Sequence, residues 1–357
     1  MLQHNVVLEV NLKKFKNNIK KIKDYVGNKT LMPVIKANGY GSFIQERIDI
    51  LNMFNIVAVA NVREAIKIRK TGYDKDIFVL NQPSVCDIEN IHNYDISVGI
   101  SEKSFIEKVN LPIKVHLEIE TGMNRTGIFY DKLDDYIKLL KKNKNINVVG
   151  IYTHLSSADN DMEYTNKQLN IFHDALELLK KHFTFQYIHS EASNGLLNCK
   201  SNDTNTVRPG LVMYGYETFL GMKKIIPVEE ILKLKSKIIY LKKVSKGAAI
   251  SYNQKYIAPK ELVVATIPIG YADGYRRSFS NKASIVVNGK KCPVLGNVCM
   301  DSCMIDVTGC DCKVEDEVYI FDNNLITLDE LSEIAGTISY EIMCNISSRV
   351  QRIFIEE

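Results

Sequence analysis

The sequence predicts an α/β protein in two parts: a parallel β/α repeat over residues 1–225 and a mainly antiparallel β domain over residues 226–357. Two patterns carry that expectation. From residue 30 to about 215, short β-branched runs alternate with longer amphipathic stretches, and after about 225 the helical spacing gives way to alternating runs separated by Gly, Asn and Asp. Length agrees with both, because 357 residues with 45% apolar and 25% charged side chains can form two ordinary soluble cores.

In chain order, Asn11 to Tyr25 predicts a helix ahead of the first strand, and residues 1–11 are candidates to pair with the C-terminal domain. Eight candidate strands follow: Leu31 to Lys36, Ile56 to Ala60, Asp76 to Leu80, Ile96 to Val98, Ile113 to Glu120, Val148 to His154, Phe185 to Ser190 and Thr206 to Arg208. Between them lie helical patterns near 42–52, 62–71, 84–93, 102–108, 131–143 and 162–182, with a short one after Ser193. Eight such repeats suggest a parallel (β/α)8 TIM barrel, although periodicity alone is also met by an open doubly wound sheet. Gly215, Gly221 and Pro227 mark the boundary. Beyond it, Lys235 to Val244, Leu262 to Ile267, Ala283 to Val287, Cys292 to Leu295, Ser302 to Val307 and Glu317 to Phe321 read as strands, with one late helix from Leu328 to Ala335.

Composition narrows the function. A formal charge of +4, from 46 basic and 42 acidic residues spread thinly along the chain, argues against nucleic acid as a partner. No apolar run approaches the roughly 20 residues that span a bilayer, and Met1-Leu-Gln-His lacks the start of a signal peptide, so a cytoplasmic protein is expected. The eight cysteines show no framework spacing and suit reduced thiols; Cys310-Asp-Cys312 is too close a pair for a zinc knuckle, and no metal site is expected.

Chemistry is expected where polar residues end apolar strands, since barrel enzymes gather their reacting groups at the strand carboxyl ends. Leu31-Met-Pro-Val-Ile-Lys36-Ala-Asn-Gly-Tyr40-Gly41 delivers a single amine to a glycine-broken loop. Burial favours a neutral amine, and a neutral lysine is what covalent capture of an aldehyde cofactor requires. The same run also fits a strand-end lysine that snorkels to solvent. Arg125 follows the fifth strand, His154 ends the sixth, Ser193 follows the seventh, and Arg208-Pro-Gly210-Leu211 follows the eighth. Phosphate sites in this fold lie after the seventh and eighth strands, where Ser193, Gly210 and Leu211 stand. Taken singly, Arg208 also reads as a surface salt bridge and His154 as a core histidine; their common address is what joins them.

Seven motifs in order make the sequence resemble the alanine racemases over nearly its whole length: the Lys36 segment, Thr-Gly-Met-Asn-Arg125-Thr-Gly, Thr-His154, Arg208-Pro-Gly-Leu-Val-Met-Tyr-Gly, Ser-Tyr252, Gly-Tyr271-Ala-Asp-Gly-Tyr and Cys-Met300-Asp301. The resemblance implies a pyridoxal 5'-phosphate (PLP) enzyme that interconverts L- and D-alanine and supplies D-alanine for peptidoglycan, working as a homodimer with shared active sites. Lys36 would hold PLP and act as base on one face of the substrate, with Tyr252 from the partner subunit on the other. A free phenol titrates near 10, and lowering that by about two units takes roughly 2.7 kcal/mol; the family uses a Tyr252–His154–Arg208 hydrogen-bonded chain. Arg208 would also face the pyridine nitrogen. Tyr40, Ser193, Gly210, Leu211 and Tyr340 would hold the phosphate. Arg125 would stand against the cofactor and, with the Met300 amide, receive the substrate carboxylate. Tyr271, Tyr340 and Asp159 would border the entrance.

Three positions depart from the family pattern. Glu118 stands where relatives often carry a lysine, sometimes carbamylated, and is expected to supply that negative charge to Arg125 directly. Ala192 and Asn297 replace a common Asn and an entrance Arg, which loosens the substrate assignment. The run Ser193-Asn-Gly-Leu-Leu-Asn198 also resembles serine-handling racemase domains, so serine or broader specificity is the alternative. A PLP-dependent decarboxylase on the same scaffold would need a carboxylate at the pyridine nitrogen and a Cys acid where Arg208 and Tyr252 stand. A non-catalytic PLP carrier would lack the second domain.

Overall fold

The computed structural model describes residues 5–199 and 201–356. The chain divides into two compact units, one of residues 16–39 and 43–228, the other of the N-terminal stretch to Phe15, Tyr40–Ser42 and the chain from Glu229 onward.

The first unit contains eight parallel strands: β1 Thr30–Leu31, β2 Ile56–Val59, β3 Asp76–Val79, β4 Ser97–Ile100, β5 Ile113–Glu118, β6 Ile146–Tyr152, β7 Tyr187–His189 and β8 Thr206–Val207. Strands β2 to β7 form one parallel sheet in chain order, and β1 pairs with β8. Backbone bonds close the two gaps. Ile35 N–H donates to Ala58 O (2.9 Å) and Ala58 N–H to Pro33 O (2.8 Å), joining β1 to β2, while Asn205 N–H donates to Ile188 O (3.1 Å), joining β8 to β7. The expected barrel holds, and the open sheet is excluded because, among the described residues, these bonds join β1 to β2 and β8 to β7 as well as β1 to β8. Continuous burial of β2 explains why this strand reads as an unbroken apolar run.

The barrel interior is aromatic and polar. On β5, Lys114, His116 and Glu118 share one face, and His116 pairs in register with Gly99 on β4 and Gly150 on β6. A Cβ at Gly150 would lie 2.2 Å from His116 Nδ1, and one at Gly99 2.2 Å from the Tyr152 hydroxyl, so these glycines make room for two rings.

Two sequence expectations change here. The first strand is regular only over Thr30–Leu31: Met32 and Val34 N–H still donate to Val207 O (2.9 Å) and Pro209 O (2.8 Å), but Pro209 has no N–H to return a bond, and Lys36 opens a left-handed turn. The helix expected over 42–52 is instead a 3-10 turn, Ile44–Glu46, and a single α turn, Ile48–Leu51.

In the second unit nine strands lie in the order 240–244, 262–267, 303–306, 290–295, 284–287, 317–321, 232–237, 7–11 and 351–355. All neighbours are antiparallel except Val7–Asn11 with Gln351–Ile355. The run expected as one strand over 235–244 is two, because Ile238 N–H bonds to Asp316 O and Ile239 N–H to Thr266 O, which hands the chain from one partner strand to another. Helix Leu328–Ala335 occupies the expected residues, with the Thr327 hydroxyl accepting from Glu330 N–H at its start. Among the described residues no helix is long and apolar enough to cross a membrane.

Candidate active site

Lys36 is half-buried and stands just before a left-handed run in which Ala37, Asn38, Gly39 and Tyr40 have φ of 54°, 53°, 60° and 54°. Left-handed backbone costs about 1–2 kcal/mol for each residue bearing a Cβ, so surrounding structure must hold this turn. Glu64 does so. Its carboxylate accepts from Ala37 N–H and from Ala60 N–H, both at 2.8 Å, tying the Lys36 turn to the end of β2.

Arg208, after β8, is 1% exposed. Its Nη1 donates to His189 O (2.9 Å) and to His189 Nδ1 (2.5 Å); its Nη2 donates to Thr153 O (2.8 Å), Ser190 O (3.1 Å) and His154 Nδ1 (3.4 Å). The terminal N–H groups are thereby spent on the barrel itself, while Nε makes no hydrogen bond among the described residues. Burial pulls the guanidinium down to about 10, with Tyr152, Glu191 and Glu118 opposing, so it remains positive at neutral pH. The backbone that carries it is anchored as well: Arg208 N–H donates to Glu191 O (2.8 Å), and the buried Glu191 carboxylate binds Lys29 Nζ (2.8 Å) and the Thr204 hydroxyl (2.5 Å).

His154 ends the turn after β6. Burial first, then the charges of Arg208, Arg125 and Lys36, push its imidazole down to about 3. It is therefore neutral at neutral pH, and with Nδ1 facing a guanidinium that only donates, its proton sits on Nε2. These shifts also place Lys36, Arg125 and Arg208 within electrostatic reach of one imidazole.

Ser193, buried at the start of helix Ser193–Asn198, accepts from Gly210 N–H at 3.0 Å, which draws together the two loops expected to hold phosphate. Leu211 opens the 3-10 turn that follows. Arg125 is exposed on a closed loop: Ile119 bridges Ile128, and the Glu120 carboxylate accepts from Gly122 N–H and from Asn124 N–H (2.9 Å). Glu118 is buried beneath this loop's start; burial raises its carboxyl above the ordinary range, while hydrogen bonds with Thr126 and Tyr152, then the charges of Arg125 and Arg208, act to lower it. Asp159 is exposed in a turn whose Ala158 O accepts from Asn198 Nδ2 (2.7 Å).

The second unit carries the other expected residues. Tyr40 is buried with its ring 6.0 Å from that of Tyr340, and burial, then Tyr340 and Cys344, raise its phenol above the usual tyrosine range, which keeps it a donor. Tyr252 is 68% exposed on a turn where Ser251, Asn253 and Gln254 have φ of 67°, 58° and 52°. Asn297 holds that turn, donating to Tyr252 O (2.9 Å) and accepting at its own carbonyl from the Ser251 hydroxyl (2.7 Å). Tyr252 lines one cleft with Met300 and Asp301 and another, of about 580 Å3, with Tyr271, Arg277 and Asn297.

Sequence reasoning missed Glu64, His116, His189 and Arg277. His116 and His189 had a legible signal, since each is a polar residue inside an apolar strand. His116 and His189 are fully buried, and burial first, then Arg208, holds His116 down to about 3 and His189 well below an ordinary histidine. The unfolded chain takes up protons at both rings below about pH 6.5, whereas the folded chain resists until near the lowered values. Stability should therefore fall as pH drops below about 6.5, because each ring binds a proton in the unfolded chain that it resists in the fold. Urea unfolding at stepped pH measures this slope; a flat profile over that window would mean that the rings are solvated or charged in the fold.

Family models described as "Alanine racemase, N-terminal domain" and "Alanine racemase, C-terminal domain" match residues 10–218 and 231–354. The alanine racemase of Clostridium kluyveri is 35% identical over 98% of this chain and 93% of its own length, and that of Methanococcus maripaludis 34% identical over 99% and 100%. Among solved structures, alanine racemase from Clostridium difficile 630 superposes with a TM-score of 0.95 at 30% identity, covering 100% of this chain and 97% of its own. The Bacillus anthracis alanine racemase with bound L-Ala-P gives 0.94 at 31% identity, covering 100% and 96%.

Proposed function

The chain belongs to the alanine racemase family, and from that premise we propose that it interconverts L- and D-alanine with PLP, as a homodimer that uses Lys36 and the partner subunit's Tyr252 as two opposed bases. The observation that carries the reading is Arg208: a buried guanidinium with its terminal N–H groups spent on the barrel and Nε left as a donor for an aromatic ring nitrogen. The donor set fits PLP. When bound, PLP supplies an electron-withdrawing ring that acidifies the substrate Cα–H.

The chain's own groups divide the remaining work. Lys36 would hold the cofactor covalently and move a proton on one face of the substrate Cα, and Tyr252 on the other, because inversion by proton transfer needs one group to remove and another to return. His154, with its proton on Nε2, can donate to a phenolate and so stabilise Tyr252 in its basic form. Arg208 keeps its own proton, so a ring nitrogen facing it stays unprotonated and side reactions that need a stronger electron sink are suppressed. Ser193, the Gly210 and Leu211 amides, and the Tyr40 and Tyr340 phenols would bind phosphate. Arg125 and the Met300 amide would take the substrate carboxylate, with Tyr271, Tyr340 and Asp159 at the entrance. In this reading Glu118 orients Arg125. Glu118→Gln should then raise KM for alanine about tenfold, in line with loss of a charged contact, and an unchanged KM would remove Glu118 from the site.

In a bacterial source the proposed role is cytoplasmic supply of D-alanine for peptidoglycan. Polarimetry of the PLP-loaded protein on a panel of L-amino acids tests the reading. L-alanine should lose its rotation completely, and serine more slowly. Unchanged rotation would indicate a carrier, and carbon dioxide release from basic amino acids a decarboxylase.

A further inference from the structure

One buried pair of imidazoles, His116 with His189, lies behind Arg208 and takes no part in the proposed chemistry. His189 Nδ1 is 2.5 Å from Arg208 Nη1, and His189 Nε2 is 2.9 Å from His116 Nδ1. A guanidinium only donates, so His189 Nδ1 must accept and its proton must sit on Nε2. That proton can be given only to an unprotonated His116 Nδ1, which puts the His116 proton on Nε2, a buried atom with no hydrogen-bond partner among the described residues. Every hydrogen bond in the row runs away from Arg208. A buried N–H without an acceptor is costly, so this arrangement is not the one stability alone would favour.

Packing leaves the rings little freedom. His116 is stacked between Phe78 (4.1 Å between centroids, 24°) and Tyr187 (5.5 Å, 10°), and His189 is stacked on Tyr152 (5.1 Å, 8°). Gly150 provides the space that His116 fills.

We propose that His116 is a positioning residue for Arg208: by accepting at Nδ1 it holds His189 as the Nε2–H tautomer, keeps a lone pair facing Arg208 Nη1, and so fixes the guanidinium plane and the direction of its Nε–H. The hydrogen-bond row stands on geometry; its effect on rate rests on the racemase reading above. Without an acceptor at residue 116 the His189 Nε2–H is left buried without a partner, so the preference for that tautomer weakens against the alternative, in which an Nδ1–H turns toward Arg208 and tilts the guanidinium.

The test is nitrogen-15 NMR of histidine-labelled, PLP-loaded protein, read beside steady-state kinetics. Wild type should show both His116 and His189 neutral with the proton on Nε2. His116→Phe keeps a stacked ring without the acceptor; His189 should then show mixed tautomers, and kcat should fall about 10- to 100-fold with KM little changed, the scale of effect typical of an outer positioning contact. His116→Asn returns an acceptor near the Nδ1 position and should recover the single His189 tautomer and most of the rate. The proposal is overturned if wild-type His189 carries its proton on Nδ1, if His116→Phe retains both tautomer and rate, or if His116→Asn is as impaired as His116→Phe. Should His116→Phe fail to fold, the wild-type tautomers and His116→Asn still decide. Absence of racemisation in wild type would overturn the functional reading instead, and the tautomers would remain measurable.

Discussion

Lys36→Ala should lower kcat/KM for alanine racemisation by at least about 10⁴-fold, because one substitution removes both the covalent attachment of the cofactor and a proton-transfer group. Lys36→Arg should fail equally. A guanidinium keeps its charge and cannot serve as a neutral nucleophile, so retention of positive charge gives no rescue. The left-handed turn after residue 36 should persist in both variants, since the Glu64 carboxylate holds it through Ala37 N–H and Ala60 N–H. Borohydride treatment followed by peptide mass analysis should find PLP on residue 36 in wild type and none in either variant. A wild-type peptide without that mass would remove Lys36 from its assigned place.

Tyr252→Phe should reduce inversion about 10²- to 10⁴-fold, the usual contribution of a positioned acid–base group. Enantiomers have equal free energies, so kcat/KM must fall equally in both directions, and direction of assay cannot reveal which face Tyr252 serves. Solvent exchange can. In deuterium oxide the enantiomer whose α-proton faces Lys36 should still exchange, while the other should not. Equal loss of exchange for both enantiomers would contradict a two-base arrangement. The structural ground is the turn itself: a phenol 68% exposed, flanked by three left-handed residues that bear side chains, and braced by Asn297. Strain of that kind persists at sites that use it.

Much of this was legible in the sequence because its signals are local. β-branched runs reported the barrel strands to within a few residues, and the Lys36, Arg125, His154, Ser193 and Arg208 positions followed from a single rule about strand ends. What was not legible depends on partners distant in sequence. Nothing in Ala37-Asn38 demands positive φ, and only the clamp from Glu64 makes the turn after Lys36 intelligible. The chain's change of partner at Ile238 and Ile239 is invisible to periodicity, since alternation continues unbroken through it. Helix Ser339–Cys344, which carries Tyr340, is too short to leave a pattern. His116 and His189 lie on separate strands of one sheet, and only its curvature across the strand between them sets the rings 2.9 Å apart.

The central claim is that each reaction site combines Lys36 of one chain with Tyr252 of another, and mixing two inactive variants tests it. Lys36→Ala and Tyr252→Phe protein, dissociated and reassembled together, should form hybrids in which one site has both mutations and the other has neither. Random reassortment would then restore about a quarter of wild-type activity from two nearly inactive preparations, as expected for a two-fold symmetric dimer. If Tyr252 instead serves the site of its own chain, every hybrid site lacks one base, the mixture stays as inactive as its parents, and the account is wrong.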